Sequence, residues 1–130
     1  MLFSKFVLGA LSLLVIASAT PTALESRASP TVTVCTGSLQ PANGCVTIPI
    51  VNESCVKFKG GLTFLNKKVS NALIPGGYVC TFFKNANCVV NGASSAVFLT
   101  SGSWSFFSVP GASGLQNFND QASSFACSPI

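Results

Sequence analysis

The sequence contains no histidine, and its acidic residues number only three. Without histidine, neither a Ser-His-Asp relay nor a Cys-His pair can form. Beyond residue 30 the only carboxylate side chains are Glu53 and Asp120, whereas glycoside hydrolysis needs two carboxylates that flank one bond. The phosphate-binding pattern G-x-x-x-x-G-K is also missing. These absences predict that the chain is not an enzyme.

Hydrophobic runs long enough to cross a membrane are missing as well. Lys5 precedes an apolar stretch from Phe6 to Ala17, and the small residues Ala17-Ser18-Ala19 follow it. This order is typical of a secretory signal peptide, and the apolar run is shorter than the roughly 20 residues that span a bilayer. We expect residues 1–19 to be a signal peptide, and the product to be secreted, extracellular and without a transmembrane segment.

The segment from residue 20 to residue 30 is polar and contains two prolines. We interpret it as a pro-segment or a disordered lead-in, with Arg27 as a candidate for a second processing site. Residues 31–130 remain, and about a hundred residues suffice for one domain but not for two. We therefore expect a single domain over residues 31–130.

All six cysteines follow the predicted signal peptide. A zinc site is disfavoured because histidine is absent and no two cysteines have the C-x-x-C spacing. An even number of cysteines in an exported chain predicts three disulfides, and the sequence leaves their pairing open. The cysteines are Cys35, Cys45, Cys55, Cys80, Cys88 and Cys127.

Charge is sparse and positive in this region. From Ala28 onward the chain has five lysines and two carboxylates, and five minus two leaves a net charge of +3. Nucleic-acid-binding domains usually carry a dense stripe of arginine and lysine, so no nucleic-acid partner is expected. Four lysines between residues 57 and 68 either keep the surface soluble or contact an anionic surface. These are Lys57, Lys59, Lys67 and Lys68.

Short runs of β-branched and aromatic residues, separated by Gly, Pro, Asn and Ser, fill the chain from Thr31 onward. This pattern predicts an all-β fold. Strands are expected at residues 31–35, 45–50, 55–59, 78–83 and 88–90, and near 96–99, 104–109 and 123–127. The aromatic residues of the second half are interpreted as core, with a carbohydrate-stacking surface as the alternative. They are Phe82, Phe83, Phe98, Trp104, Phe106, Phe107, Phe118 and Phe125.

Two halves of similar layout follow one another along the chain. Gly44-Cys45 and Asn87-Cys88 each end a predicted hairpin that begins in a cysteine-bearing strand, at Cys35 and Cys80. Farther on, residues 65–71 correspond to residues 118–124. Repeated units of this size predict two four-stranded Greek keys that pack as a sandwich.

The stretch Asn119-Asp120-Gln121-Ala122-Ser123-Ser124 resembles the calcium signature of the βγ-crystallin superfamily. That signature has two Asn or Asp residues, two variable residues, and then Ser or Thr followed by Ser. A degenerate copy lies at residues 66–71, the corresponding place of the first half. From Thr31 to Cys127 the chain is similar in particular to small, secreted, cysteine-rich members from microbes and fungi. The resemblance implies a βγ-crystallin-like sandwich of two Greek keys.

The resemblance also implies at most one calcium site, of weak affinity. Asp120 and Ser123 would supply side-chain oxygens, Gln121 a carbonyl, and the loop from residue 37 to residue 44 the rest of the shell, with Asn119 at the first motif position. Calcium takes about six to eight such oxygens. In the first copy Lys67 stands where the carboxylate belongs, and an ammonium group accepts no hydrogen bond. The alternative is a capped turn that binds no metal.

The leading functional interpretation is a secreted, non-enzymatic binding or structural module that binds calcium weakly. The alternative is a secreted antimicrobial or killer-toxin-like effector, such as a fungal effector, which the positive charge favours. A film-forming hydrophobin is disfavoured because no two cysteines are adjacent. Asn52-Glu53-Ser54 is the single N-glycosylation sequon, and Asn52 is expected on an exposed loop between residues 50 and 55.

Overall fold

The computed structural model describes residues 30–130. The predicted signal peptide and the lead-in up to residue 29 lie outside the described residues. Within this range no helix is long and apolar enough to cross a membrane. The strands are β1 (Thr31–Cys35), β2 (Cys45–Pro49), β3 (Val56–Lys57), β4 (Asn71–Ile74), β5 (Tyr78–Phe83), β6 (Ala96–Leu99), β7 (Gly102–Ser105), β8 (Val109–Gly111), β9 (Gly114–Gln116) and β10 (Ser124–Pro129). A short 3-10 helix, Gly60–Leu65, follows β3.

The strands form two sheets with antiparallel neighbours. One sheet has the order β2-β1-β4-β7, and the other has the order β9-β8-β6-β5-β10-β3. The third strand of each half crosses to the sheet of the other half, because β3 pairs with β10 and β7 pairs with β4. Each half is thus a four-strand Greek key, and the second half adds the β8–β9 hairpin. The predicted all-β fold of two Greek keys is confirmed.

The core lies between the sheets because apolar side chains alternate along the strands. In β1, Val32 and Val34 are fully buried, whereas Thr33 between them is half-buried on the outer face. The Phe82 ring in β5 stacks on the Phe125 ring of β10 with 4.9 Å between centroids. The same ring meets the edge of Phe106, which follows β7, at 5.0 Å. These contacts join elements from both sheets.

The core prediction holds for five buried aromatic residues and for Trp104, which packs against the core, and needs correction for Phe98 and Phe107. Phe98 and Phe107 are exposed, at 40% and 58%, because they point away from the space between the sheets. Trp104 is half-buried, and its indole nitrogen donates a hydrogen bond to the Thr100 carbonyl at 2.7 Å. The buried five are Phe82, Phe83, Phe106, Phe118 and Phe125.

Several predicted strand positions differ from the structure. Residues 88–90 form no strand, since Cys88 has a φ of 56° that an extended chain does not adopt. The second hairpin therefore closes at Ala96 rather than at Cys88. The strand predicted over residues 55–59 shrinks to β3, and the one over residues 104–109 is divided between β7 and β8. Strands β4 and β9 have no counterpart in the prediction.

All six cysteines are paired, which confirms the three predicted disulfides. Cys35–Cys45 joins β1 to β2 and Cys80–Cys127 joins β5 to β10, each between residues that lie directly opposite one another. Cys55–Cys88 connects the loop before β3 with the loop after β5. This third bridge links the first half to the second half.

A candidate cation site between the two halves

The two copies of the repeated segment face each other across an approximate two-fold axis. The backbone N–H of Lys67 donates to the carbonyl of Ala122 at 2.8 Å, and the N–H of Asp120 donates to the carbonyl of Val69 at 3.0 Å. Lys67 and Asp120 also share a left-handed backbone, with φ of 59° and 60°. The second position of each six-residue segment therefore has the same conformation and a reciprocal hydrogen bond.

The next contacts along the two segments repeat as well. The N–H of Ser70 donates to the carbonyl of Cys35 at 2.9 Å, and the N–H of Ser123 donates to the carbonyl of Phe83 at 2.7 Å. Cys35 and Phe83 are the last residues of β1 and β5. Each segment is therefore held against the end of the first strand of its own half.

The hairpin loops that follow these strands are also equivalent. Thr36 begins the first loop and Lys84 the second, and their N–H groups donate to the carbonyls of Gly44 at 3.0 Å and Ser95 at 2.9 Å. The first loop accepts a hydrogen bond from the Asn71 side chain at the Gly37 carbonyl. In the second loop, the Asn85 carbonyl accepts a hydrogen bond from the Ser124 hydroxyl at 2.6 Å. Thr36 and Lys84 thus occupy matching positions.

The Lys67 side chain breaks this symmetry. Its Nζ atom donates to the carbonyl oxygens of Lys84 at 2.8 Å and of Gln121 at 3.0 Å. Partial desolvation, and to a lesser degree the charge of Lys84, lowers the pKa of Lys67 from its ordinary value. We call the point between these two carbonyl oxygens the Lys67 cation position.

The predicted calcium ligands differ in burial and in hydrogen bonding. The Gln121 carbonyl accepts the hydrogen bond from Lys67, Ser123 is buried at 4% exposure, and Asp120 is exposed. Asn119 Oδ1 is buried and has no hydrogen-bond partner within the described part of the chain, which is unusual for a native protein. Among the residues that the structure describes, no three His, Cys, Asp or Glu side chains come together.

The two segments pack against different hairpin loops. The loop beside Gln121 and Ser124 is the second one, which begins at Lys84, and not the loop of residues 37–44. The first loop instead lies against Asn71 in the first copy. Each segment packs on the hairpin of its own half, and only the second residue of each segment reaches across the axis, as Asp120 does to Val69.

Sequence reasoning missed Lys84 as a member of this site. Its carbonyl holds Lys67, and its own Nζ lies 6.0 Å from the centre of the Phe118 ring. The signal that could have found it is the repeat itself, because Lys84 follows the strand that corresponds to β1. The predicted hairpin, which ended too early at Cys88, hid this correspondence.

Three lysines that are distant in sequence gather around residues 121–124. Lys57 lies opposite Ser124 in the β3–β10 pair, and the Lys67 ammonium donates to the backbone carbonyl of Lys84. This set shares Lys57 and Lys67 with the expected group of four and includes Lys84, which that group lacks. The sequon residue Asn52 is exposed, and the N–H of Ser54 donates to the carbonyl of Val51 at 3.0 Å in the turn that carries it. The described residues enclose no pocket.

Comparison with solved structures identifies the fold. The N-terminal domain of protein S matches with a TM-score of 0.51 and 16% identity, over 77% of this chain and 97% of that one. A structure from work on the evolution of the eye-lens βγ-crystallin domain fold matches with a TM-score of 0.57 and 15% identity, over 84% of this chain and 95% of that one. No family model and no curated protein matches the sequence. The expected βγ-crystallin-like fold is confirmed.

Proposed function

We propose that this chain, whose fold is that of βγ-crystallin domains, is a secreted, non-enzymatic binding or structural module that holds at most one calcium ion, weakly, at Asp120. The fold supports a structural or binding module. Three disulfides support an oxidising, extracellular environment. The lack of histidine and the scarcity of carboxylates support a role without acid–base catalysis.

The observation that carries the calcium proposal is the location of the Lys67 ammonium. It is held by two carbonyl oxygens of the second half, which marks a place where this fold can hold a cation. In the two-fold relation Lys67 corresponds to Asp120. The Gln121 and Lys84 carbonyls, which hold Lys67, correspond to the carbonyls of Lys68 and Thr36. The same relation would turn the Asp120 carboxylate toward these two oxygens.

The donor set near Asp120 suits calcium in kind but not in charge. Calcium prefers carboxylate, carbonyl and hydroxyl oxygens, and Asn119 Oδ1 is an acceptor without a partner in the described chain. The carbonyls that the two-fold relation brings to Asp120 are those of Lys68 and Thr36, whereas the Gln121 carbonyl, which the motif would assign to calcium, holds Lys67. With one carboxylate we expect a dissociation constant of about 10⁻⁴–10⁻³ M, as in other weak extracellular sites.

A matched pair of variants tests this proposal. Asp120→Asn keeps the left-handed turn, which asparagine tolerates, but removes the charge. Glu53→Gln removes the other described carboxylate, which also has a positive φ, of 63°. At a hundredfold excess over its dissociation constant, calcium should stabilise the wild type and Glu53→Gln by about 2.7 kcal/mol. Asp120→Asn should lose that gain. A wild type whose melting temperature does not rise at this excess, about 10–100 mM calcium, would refute the calcium proposal.

The lysine cluster favours a second candidate function, an antimicrobial or killer-toxin-like effector that contacts an anionic cell surface. Lys57 lies opposite Ser124 in the β3–β10 pair, and the Lys67 ammonium, which donates to the Lys84 carbonyl, also feels the charge of Lys84. A growth-inhibition assay with the oxidised protein tests it. Inhibition of bacteria or yeast that is lost in Lys57→Gln/Lys84→Gln, and kept in Lys68→Gln, would support the effector. No inhibition at micromolar concentration would leave the module as the function.

A further inference from the structure

We propose that the Lys67 ammonium is the resident cation of the second half: it occupies a position that a metal ion would otherwise take, and makes this half independent of calcium. The inference concerns a different position from the Asp120 site and stands whether or not Asp120 binds calcium. It starts from the two carbonyl oxygens at 2.8 and 3.0 Å from Nζ.

Two carbonyl oxygens that converge on one point require a positively charged or donating group. The carbonyls of Lys84 and Gln121 come from different elements, the loop after β5 and the segment before β10. Their partial negative charges would repel each other without such a group between them. A lysine ammonium has three donors and satisfies both oxygens with one donor to spare.

The lysine reaches this point from the other half of the molecule. Its backbone belongs to the first segment, while its two acceptors are 17 and 54 residues away in sequence. The same residue also donates its backbone N–H to Ala122 at 2.8 Å. Lys67 therefore fastens the first half to two separate elements of the second half through three hydrogen bonds.

The charges around this position disfavour a metal ion. The Lys84 charge lies near enough to the Lys67 ammonium to lower the pKa of Lys67, and Lys57 lies opposite Ser124 in the neighbouring strand pair. A divalent cation would have to displace the Lys67 ammonium and approach the charge of Lys84, with no carboxylate at residue 67 to bind it. The residues at this position thus do not fit calcium, in contrast to those at Asp120.

The contrast between the two halves comes from a single residue in each. Lys67 and Asp120 share the backbone conformation and the reciprocal hydrogen bonds. Their carbonyl partners are backbone atoms, which do not depend on side-chain identity. Exchanging the ammonium for a carboxylate at residue 67 should therefore convert the Lys67 cation position into a calcium site.

The first arm of the test removes the ammonium in the full oxidised protein. Lys67→Met keeps most of the length of the side chain, and Lys68→Met, at an exposed neighbouring lysine, is the control. In the presence of EDTA, Lys67→Met should lower the melting temperature by roughly 4–8 °C, which corresponds to about 1 kcal/mol in a domain of this size. Equal melting temperatures for the two variants would overturn the proposal.

The second arm asks whether the position accepts calcium when it is given a carboxylate. Both Lys67→Asp and its uncharged control Lys67→Asn suit a left-handed backbone, and both are made in an Asp120→Asn background. Millimolar calcium should raise the melting temperature of the Lys67→Asp protein and leave that of Lys67→Asn unchanged. If calcium stabilises neither, the Lys67 position is no cation site and the inference fails. Because Asp120 is absent here, a failure of the Asp120 proposal does not affect the result.

Discussion

Cys80 in β5 lies directly opposite Cys127 in β10, and a disulfide joins them. The corresponding positions of the first half hold an apolar pair. In β1 and β4, Thr33 lies opposite Leu73. Continuing that register by one residue sets Val32 against Ile74, both of which are buried. The two halves therefore close the same strand pair in two ways, by packing in the first half and by a covalent bond in the second.

This equivalence predicts that Cys80→Val/Cys127→Ile folds, because it copies the Val32 and Ile74 pair. Losing the bridge across 47 residues should cost about 4 kcal/mol in the chain-entropy account. Burial of the added apolar groups should return roughly 1–3 kcal/mol. Cys80→Ala/Cys127→Ala, which lacks these groups, is the control and should be less stable in urea denaturation. Equal stability of the two variants would contradict the equivalence.

Cys55–Cys88 should be the first disulfide to open under mild reduction. Cys55 is exposed and Cys88 half-buried, whereas the other two bridges each contain a fully buried cysteine. Attack by an external thiolate needs access to a sulfur atom. Alkylation during limited reduction, followed by mass spectrometry, should label Cys55 and Cys88 before Cys35 or Cys80. Labelling of Cys80 first would be inconsistent with the burial that the structure assigns to it.

Phe82 should be the most costly aromatic residue to truncate. It is fully buried and its ring contacts those of Phe125 and Phe106. Phe82→Ala should lower the free energy of unfolding by about 3–5 kcal/mol. Phe107→Ala, at a residue that is 58% exposed, is the control and should change it by less than about 0.5 kcal/mol. Similar losses in chemical denaturation would show that the core is placed wrongly.

Asn52 should accept an N-linked glycan when the chain passes through a eukaryotic secretory pathway. The side chain is exposed, and the Glu53 N–H donates to the Cys127 carbonyl at 2.7 Å, so the turn presents the sequon outward. The product should lose mass on treatment with an N-glycosidase, and Asn52→Gln or Ser54→Ala should abolish this loss. An unmodified wild-type product would show that exposure does not suffice here.

The repeat was the part of the fold that the sequence predicted best. The correspondence of residues 65–71 with 118–124 requires no knowledge of the strands, because Asn and Ser recur at the same spacing in both segments and favour the same turn. Lys67 and Asp120 indeed share a left-handed backbone. The prediction of two Greek keys followed from this repeat.

The second hairpin shows where local pattern fails. Cys88-Val89-Val90 has the composition of a strand, but Cys88 has a positive φ and is bonded to Cys55, while Val89 and Val90 are exposed at 45% and 56%. A long-range disulfide and the position of the loop overrode local β propensity. The same limit applied to Lys67, since its two carbonyl partners are set by tertiary packing alone.

A calorimetric titration of the wild-type oxidised protein with calcium tests the central claim most directly, since the claim is that one of two equivalent positions holds a lysine and the other an aspartate. We expect one bound ion per wild-type chain, with a dissociation constant of about 10⁻⁴–10⁻³ M. We expect no heat of binding for Asp120→Asn. Two ions per chain would contradict the assignment of Lys67 as the cation of the second half. Binding that survives Asp120→Asn would contradict the assignment of the calcium site to Asp120.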